Sequence, residues 1–154
     1  MFSQAWDPVD ALVVWLFSHE ENSDDDYERY IRCIHEMDAR GADRELPAAI
    51  LVVDPGQPAP NAAWRRRIAE ASATMKSKAL FAVVSESAVV RGVVTAINWI
   101  RPPPYEHAVE RSFDDAVAWI ERRRGRALHN PRKLLAEARE VAAERARAPR
   151  SSCK

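Results

Sequence analysis

The sequence predicts an α/β protein: a mainly parallel sheet of four to five strands with helices packed on it, followed by a C-terminal helical tail. Three observations carry that expectation. Three short runs are continuously apolar and rich in β-branched or aromatic residues, as strands buried on both faces must be. Segments with helical periodicity separate them, which suits parallel strands because each parallel pair needs a crossover. A fourth short segment alternates between polar and less polar residues, the pattern of a sheet edge solvated on one side.

The first run is Ala11 to Phe17, too short for a helix and read as a buried strand. Ser23 with Asp26 three residues on, and Asp24 and Asp25 between them, begins a helix, since these groups cap its free N–H donors and favour the positive end of its dipole. Tyr27, Ile31, Ile34 and Met37 or Asp38 form its stripe toward Arg40, and Gly41 stops it. Ala48 to Val53 is a second buried strand running into Asp54-Pro55-Gly56-Gln57-Pro58-Ala59-Pro60, a loop that proline stiffens. Asn61 caps the next helix, with Trp64, Ile68, Ala71 and Met75 inward and Arg65, Arg66, Arg67 and Glu70 toward water. Ala79 to Val84 is the third buried strand.

Ala88 to Ile100 has helical length, but only Arg91, Thr95 and Asn98 are clearly polar, fewer than a surface helix carries. Pro102-Pro103-Pro104 ends it. Tyr105, His107 and Val109 then alternate with Glu106, Ala108 and Glu110 as the edge strand. Ser112 and Asp115 make another capping box, Phe113, Ala116, Val117 and Ile120 the inner stripe, and Arg124-Gly125 the end. From Arg126 the chain reads as an appendage: Asn130-Pro131 starts a helix whose thin stripe of Leu134, Leu135, Ala138, Val141 and Ala142 needs a surface to lie on. Residues 1–125 are therefore expected as the α/β domain and 126–154 as a basic tail, helical or partly disordered.

The 154 residues, 47% apolar and 30% charged, suit one domain of ordinary size. No apolar run reaches the roughly 20 residues of a membrane-spanning helix, and the N-terminus lacks the pattern of a secretory signal, so a cytoplasmic protein is expected. Cys33 and Cys153 show neither a disulfide framework nor metal-ligand spacing. Four glycines are too few for most phosphate-cradling loops. The zero net charge hides a split: Met1 to Glu121 has 12 Lys and Arg against 20 Asp and Glu, whereas Arg122 to Lys154 has 11 against 3. A basic tail of that kind binds a polyanion or folds back on the acidic body.

Ile50 to Asp54 leading into a helix, Ser87 to Trp99, and the ending Ser112-Phe113-Asp114-Asp115-Ala116-Val117-Ala118-Trp119-Ile120 together resemble the SpoIIAA-like, STAS/SEC14-type domains of bacterial proteins. The resemblance covers about Asp10 to Arg124. It implies a regulatory or protein-interaction module in bacterial signalling rather than an enzyme. Regulatory members switch by phosphorylation of a Ser or Thr at the helix start after the strand that ends in Asp. Pro58 to Trp64 occupies that stretch here and contains no hydroxyl, so the switch of an anti-sigma-factor antagonist is missing.

Asp54 ends a buried strand, where open α/β sheets place functional groups, and with Ser85 it loosely resembles a response-regulator receiver. His19-Glu20-Glu21 is a poor acidic pair for that chemistry, and no lysine lies between Lys78 and Lys133, so a turn aspartate accepting backbone amides is the preferred reading. Asn61, Ser85 and Ser87 share that loop site, with helix capping as their ordinary role. His19, Glu20, His35, Glu36, Asp38 and His107 lack metal-ligand spacing, and Cys33 reads as a core side chain. No catalytic residue, cofactor or metal is expected.

Two surfaces remain. One is the apolar helix with Val89, Val90, Val93, Val94, Ile97, Trp99 and Ile100, expected either as an interface for another protein, including a second copy in a homodimer, or as a buried helix. The other is the tail, with Arg122, Arg123, Arg124, Arg126, Arg132 and Lys133, where the absence of aromatics after Trp119 argues against nucleic acid as a partner. The role expected first is a non-catalytic regulatory or scaffold module that binds another protein. The alternative, which the SEC14 side of the resemblance implies, is a small-ligand or lipid-binding sensor with its ligand under Ala88 to Ile100. An apolar cavity would favour the sensor, a flat valine patch the interface, and acidic neighbours around Asp54 the receiver.

Overall fold

A computed structural model describes residues 1–18, 22–40, 46–100 and 102–147, with 96–100 described only as the end of a helix. The elements run β1 (Phe2–Asp7), β2 (Leu12–Phe17), α1 (Asp24–Arg40), β3 (Ala48–Val53), α2 (Ala62–Ala73), β4 (Leu80–Val84), α3 (Ala88–Ile100), β5 (Glu106–Glu110), α4 (Phe113–Arg124) and α5 (Pro131–Arg147). The five strands form one sheet in the order β1-β2-β3-β4-β5. β1 is antiparallel to β2, and the other three pairs are parallel. The class is thus α/β.

The strand order decides which face each helix covers. Parallel crossovers are almost always right-handed. When successive parallel strands add in one direction, the helices between them therefore all fall on the same face. Val13, Trp15 and Phe17 of β2, Ala49 and Leu51 of β3, and Phe81 and Val83 of β4 meet α1, α2 and α3 there. Trp15 packs edge-on against Tyr30 of α1 at 5.4 Å, and Tyr27 stacks on Trp64 of α2 at 5.2 Å. Because the parallel strands never reverse their order, the sheet has no topological switch point, the crevice where open α/β sheets usually bind ligands.

The opposite side of the same strands, Leu12, Val14, Leu16, Ile50, Leu80 and Val84, is covered by Ala116 and Ile120 of α4, by Leu128, and by Leu134, Ala138 and Ala142 of α5. Among residues 126–147, the segment expected as an appendage is therefore a layer of the fold. The thin stripe suffices because small residues let α5 lie close to the sheet: the Ser3 hydroxyl of β1 donates to the Ala138 carbonyl at 2.8 Å. The end of the tail, 148–154, lies outside the described residues.

β1 is an addition to the expected elements. The starts of α1, α2 and α4 and the end of α4 follow the expected chemistry, and Gly41, expected to stop α1, lies outside the described residues. Ser23 Oγ accepts from the Asp26 N–H at 3.2 Å while Asp26 Oδ2 accepts from the Ser23 N–H at 3.0 Å. Asn61 Oδ1 accepts from the Trp64 N–H at 3.0 Å, and Ser112 Oγ from the Asp115 N–H at 3.1 Å. Gly125 ends α4 at φ 69°, a left-handed conformation that glycine adopts without steric penalty. No helix among the described residues is long and apolar enough to cross a membrane.

Candidate functional site

α3 is apolar on more than one side, and the sheet cannot cover all of it. Val90, Val93 and Val94, related by one helical turn, are half-buried and line a cavity, whereas Val89 points away and is 71% exposed. The cavity measures about 110 Å³. Its floor is Phe17, Leu51, Val53, Phe81 and Val83 from three strands. Tyr27 and Tyr30 of α1 and Ile68, Ala69 and Ser72 of α2 form the walls, and Asn22, the Gln57 to Pro60 loop, Pro103 and Tyr105 complete the lining.

Asn22, Gln57, Tyr27, Ser72 and Tyr105 in this lining are engaged with one another or with the main chain. Asn22 Nδ2 donates to Gln57 Oε1 at 2.6 Å, and Gln57 Nε2 donates to the Ser18 carbonyl. The N-terminal ammonium donates to Asn22 Oδ1 at 2.6 Å, tying the start of the chain to the same edge. Burial raises the pKa of Tyr27 above its usual value despite the opposing hydrogen bond to Asn22. It raises Tyr105 likewise, against a hydrogen bond to Ser72, and pushes Tyr30 up much further. All three phenols therefore stay neutral at pH 7.

Asp54 faces the other side of the sheet. Its carboxylate is buried and receives two bonds from Arg139 of α5, from Nη1 at 3.0 Å and Nη2 at 2.9 Å. Among the described residues a cation, Arg139, faces it, the opposite of the acidic neighbours that a receiver would place there. Ser85 belongs to the first face and caps locally: its Oγ accepts from the Ser87 N–H at 3.2 Å, and Ser87 Oγ accepts from the Val90 N–H at 3.3 Å at the start of α3. Asn61 is the α2 cap already described. The structure thus separates the four residues expected at one loop site into a cross-layer ion pair and two helix caps.

Much of the basic segment folds back on the acidic body. Arg124 donates to the carbonyls of Asp10, Ala11 and Leu46. Arg126 meets Asp10 at 2.7 Å, Arg132 meets Asp114 at 2.7 Å, and Arg123 meets Glu106 at 3.2 Å. Lys133 pairs within its own helix with Glu137 at 3.7 Å, and Arg122 is exposed. Asp10, which sequence reasoning did not single out, is 1% exposed and gathers Arg126 and His129 from a loop more than a hundred residues away. No local pattern marks such a pairing.

The side chains of Ile97, Trp99 and Ile100 lie outside the described residues, as does His19. Cys33 is buried in the first layer, and burial pushes its thiol up to about 11. Among the described residues no group of three or more His, Cys, Asp or Glu is placed to hold a metal ion. No family model, curated protein or solved structure matches the chain.

Proposed function

We propose that this chain is a ligand-binding sensor module of the SpoIIAA-like, STAS/SEC14 type that its sequence resembles, holding a small apolar molecule beneath α3. The observation that carries the reading is the apolar cavity of about 110 Å³ between α3 and the sheet. It is concave, partly open to solvent and lined mainly by hydrophobic and aromatic side chains with a few polar groups, the usual make-up of a small-molecule site. Its place also matters. The stretch that would carry the phosphorylated hydroxyl in the resembled family, Pro58 to Trp64, contributes Pro58, Ala59 and Pro60 to the cavity lining. A ligand bound there acts on the segment through which those family members are switched, so the input is a molecule rather than a phosphate. Its role is regulatory rather than catalytic.

The test is a methyl-detected NMR titration with a chemically diverse set of small fragments. Binding in the cavity moves the methyl resonances of Val90, Val93, Val94, Ile68 and Ala59 together. A set that leaves all five in place refutes the reading.

Val89 supports a second reading, an interface with another protein or a second copy, because it is a large apolar side chain exposed on α3. Light scattering on the whole chain and on Val89→Glu tests it. Loss of a dimer in the variant supports an interface, and a monomer in both excludes the homodimer.

A further inference from the structure

The chemistry of the cavity narrows its ligand, and this step rests on the reading that the cavity is a ligand site. We infer that the ligand is an uncharged, single-ring aromatic molecule carrying at most one small polar substituent. Three features point there together.

The first is charge. Among the described residues no Asp, Glu, Lys, Arg or His lines the cavity; its polar members are two amides, a serine and three tyrosines. An ion taken from water into such a site finds no counter-charge and loses its hydration, which disfavours binding strongly. A carboxylate, an ammonium or a phosphate buried against these residues is disfavoured on that ground.

The second is size. About 110 Å³ is somewhat below the roughly 150 Å³ of an apolar cavity that accepts benzene. Open to solvent on one side, it takes a single ring of about six non-hydrogen atoms, with any small substituent toward the opening. A long acyl chain would be enclosed by it only in part.

The third is the shape of the walls. Five aromatic rings, Phe17, Tyr27, Tyr30, Phe81 and Tyr105, share the lining. Phe17 and Tyr30 already meet edge to face at 5.4 Å, and Phe81 and Tyr105 at 5.6 Å. Flat faces and ring edges held at such angles favour a further ring over a flexible chain. The Tyr105 hydroxyl and its Ser72 partner keep spare lone pairs with which one ligand hydroxyl can bond.

Isothermal titration at pH 7 with toluene, phenol, cyclohexanol, benzoate and decanoate tests the inference on the full chain. Val93→Phe and Ala59→Phe, which fill the cavity from the helix and from the loop, are the controls, each checked for folding by circular dichroism. Toluene and phenol are expected to bind with dissociation constants on the order of 0.1 to 1 mM, as suits so few atoms. Cyclohexanol and benzoate are expected at least tenfold weaker, decanoate not at all, and either filled variant that folds abolishes the toluene signal. If benzoate, decanoate or cyclohexanol binds as tightly as toluene and the filled variants remove that binding, the cavity is a ligand site and the inferred class is overturned. If no probe binds, or binding survives both variants, the inference and the reading beneath it fall together.

Discussion

Asp10 offers the sharpest test of how the ends of the chain are joined. Its carboxylate accepts from Arg126 Nη1 at 2.7 Å and from the His129 N–H at 2.6 Å, with His129 Nδ1 at 3.0 Å. Burial alone raises its pKa, but Arg126 and His129 outweigh burial and bring it from 3.8 to about 2. The folded value lies below the unfolded one, so the native state favours the charged form. That stabilisation is fully present above the unfolded pKa and fades as pH falls through the folded one. The difference amounts to about 2 kcal/mol at pH 7, about half of it remaining at pH 3 and little below pH 2. Asp10→Asn is therefore expected to lose about 2 to 3 kcal/mol at pH 7 and about 1 kcal/mol less at pH 3. Urea unfolding of both proteins, followed by circular dichroism between pH 5 and pH 3, measures the change. A difference that stays constant across that window, or a loss under about 0.5 kcal/mol at pH 7, refutes the assignment.

Arg139→Ala leaves the Asp54 carboxylate buried beside the sheet and is expected to destabilise by about 1 to 3 kcal/mol. A double-mutant cycle with Asp54→Asn should show coupling of at least about 1 kcal/mol, and additivity within about 0.3 kcal/mol would mean that the pair does not hold α5. A chain ending at Gly125 strips Leu134, Ala138 and Ala142 from the sheet; it is expected to aggregate or unfold, and a folded monomer by light scattering and circular dichroism contradicts that. Because burial holds the Cys33 thiol at about 11, iodoacetamide at pH 8 should leave it unlabelled in the folded protein and label it in urea, as peptide mass spectrometry reads directly. Gly125→Ala forces a side chain into the left-handed conformation and is expected to cost about 1 kcal/mol in the same urea assay.

The parts of the fold legible in the sequence are those governed by local rules. Ala48 to Val53 and Ala88 to Ile100 match their observed bounds because a buried strand and an unbroken apolar helix leave continuous signals. Both capping boxes, the Asn61 cap and the Gly125 stop are set within four residues. β1 left no such signal: Phe2, Gln4 and Trp6 share one face, and Ser3, Ala5 and Asp7 the other, so neither periodicity of two nor an apolar run is present. Its strand character comes from pairing with β2, Phe2 opposite Phe17. The docking of α5 was hidden because it depends on ion pairs with Asp54 and Asp10, far away in sequence, and on alanines whose apolar signal is slight. Of the cavity, the three valines of α3 were visible as surplus apolar surface. Asn22, Gln57 and Tyr105 come from three separate loops, and only the folded chain brings them to one place.

The join between β1 and α5 also has a consequence for how the protein is made. A ribosome makes β1 more than a hundred residues before the helix that covers it. Sheet and first helical layer can assemble once β5 has emerged, but the opposite surface, with Leu12, Val14, Leu16 and Ile50, waits for α4 and α5. At ordinary elongation rates that interval lasts several seconds. During it the nascent chain carries a broad apolar surface with no cover of its own. Arrival of α5, rather than formation of the sheet, is then the event that releases this surface from the need for shielding.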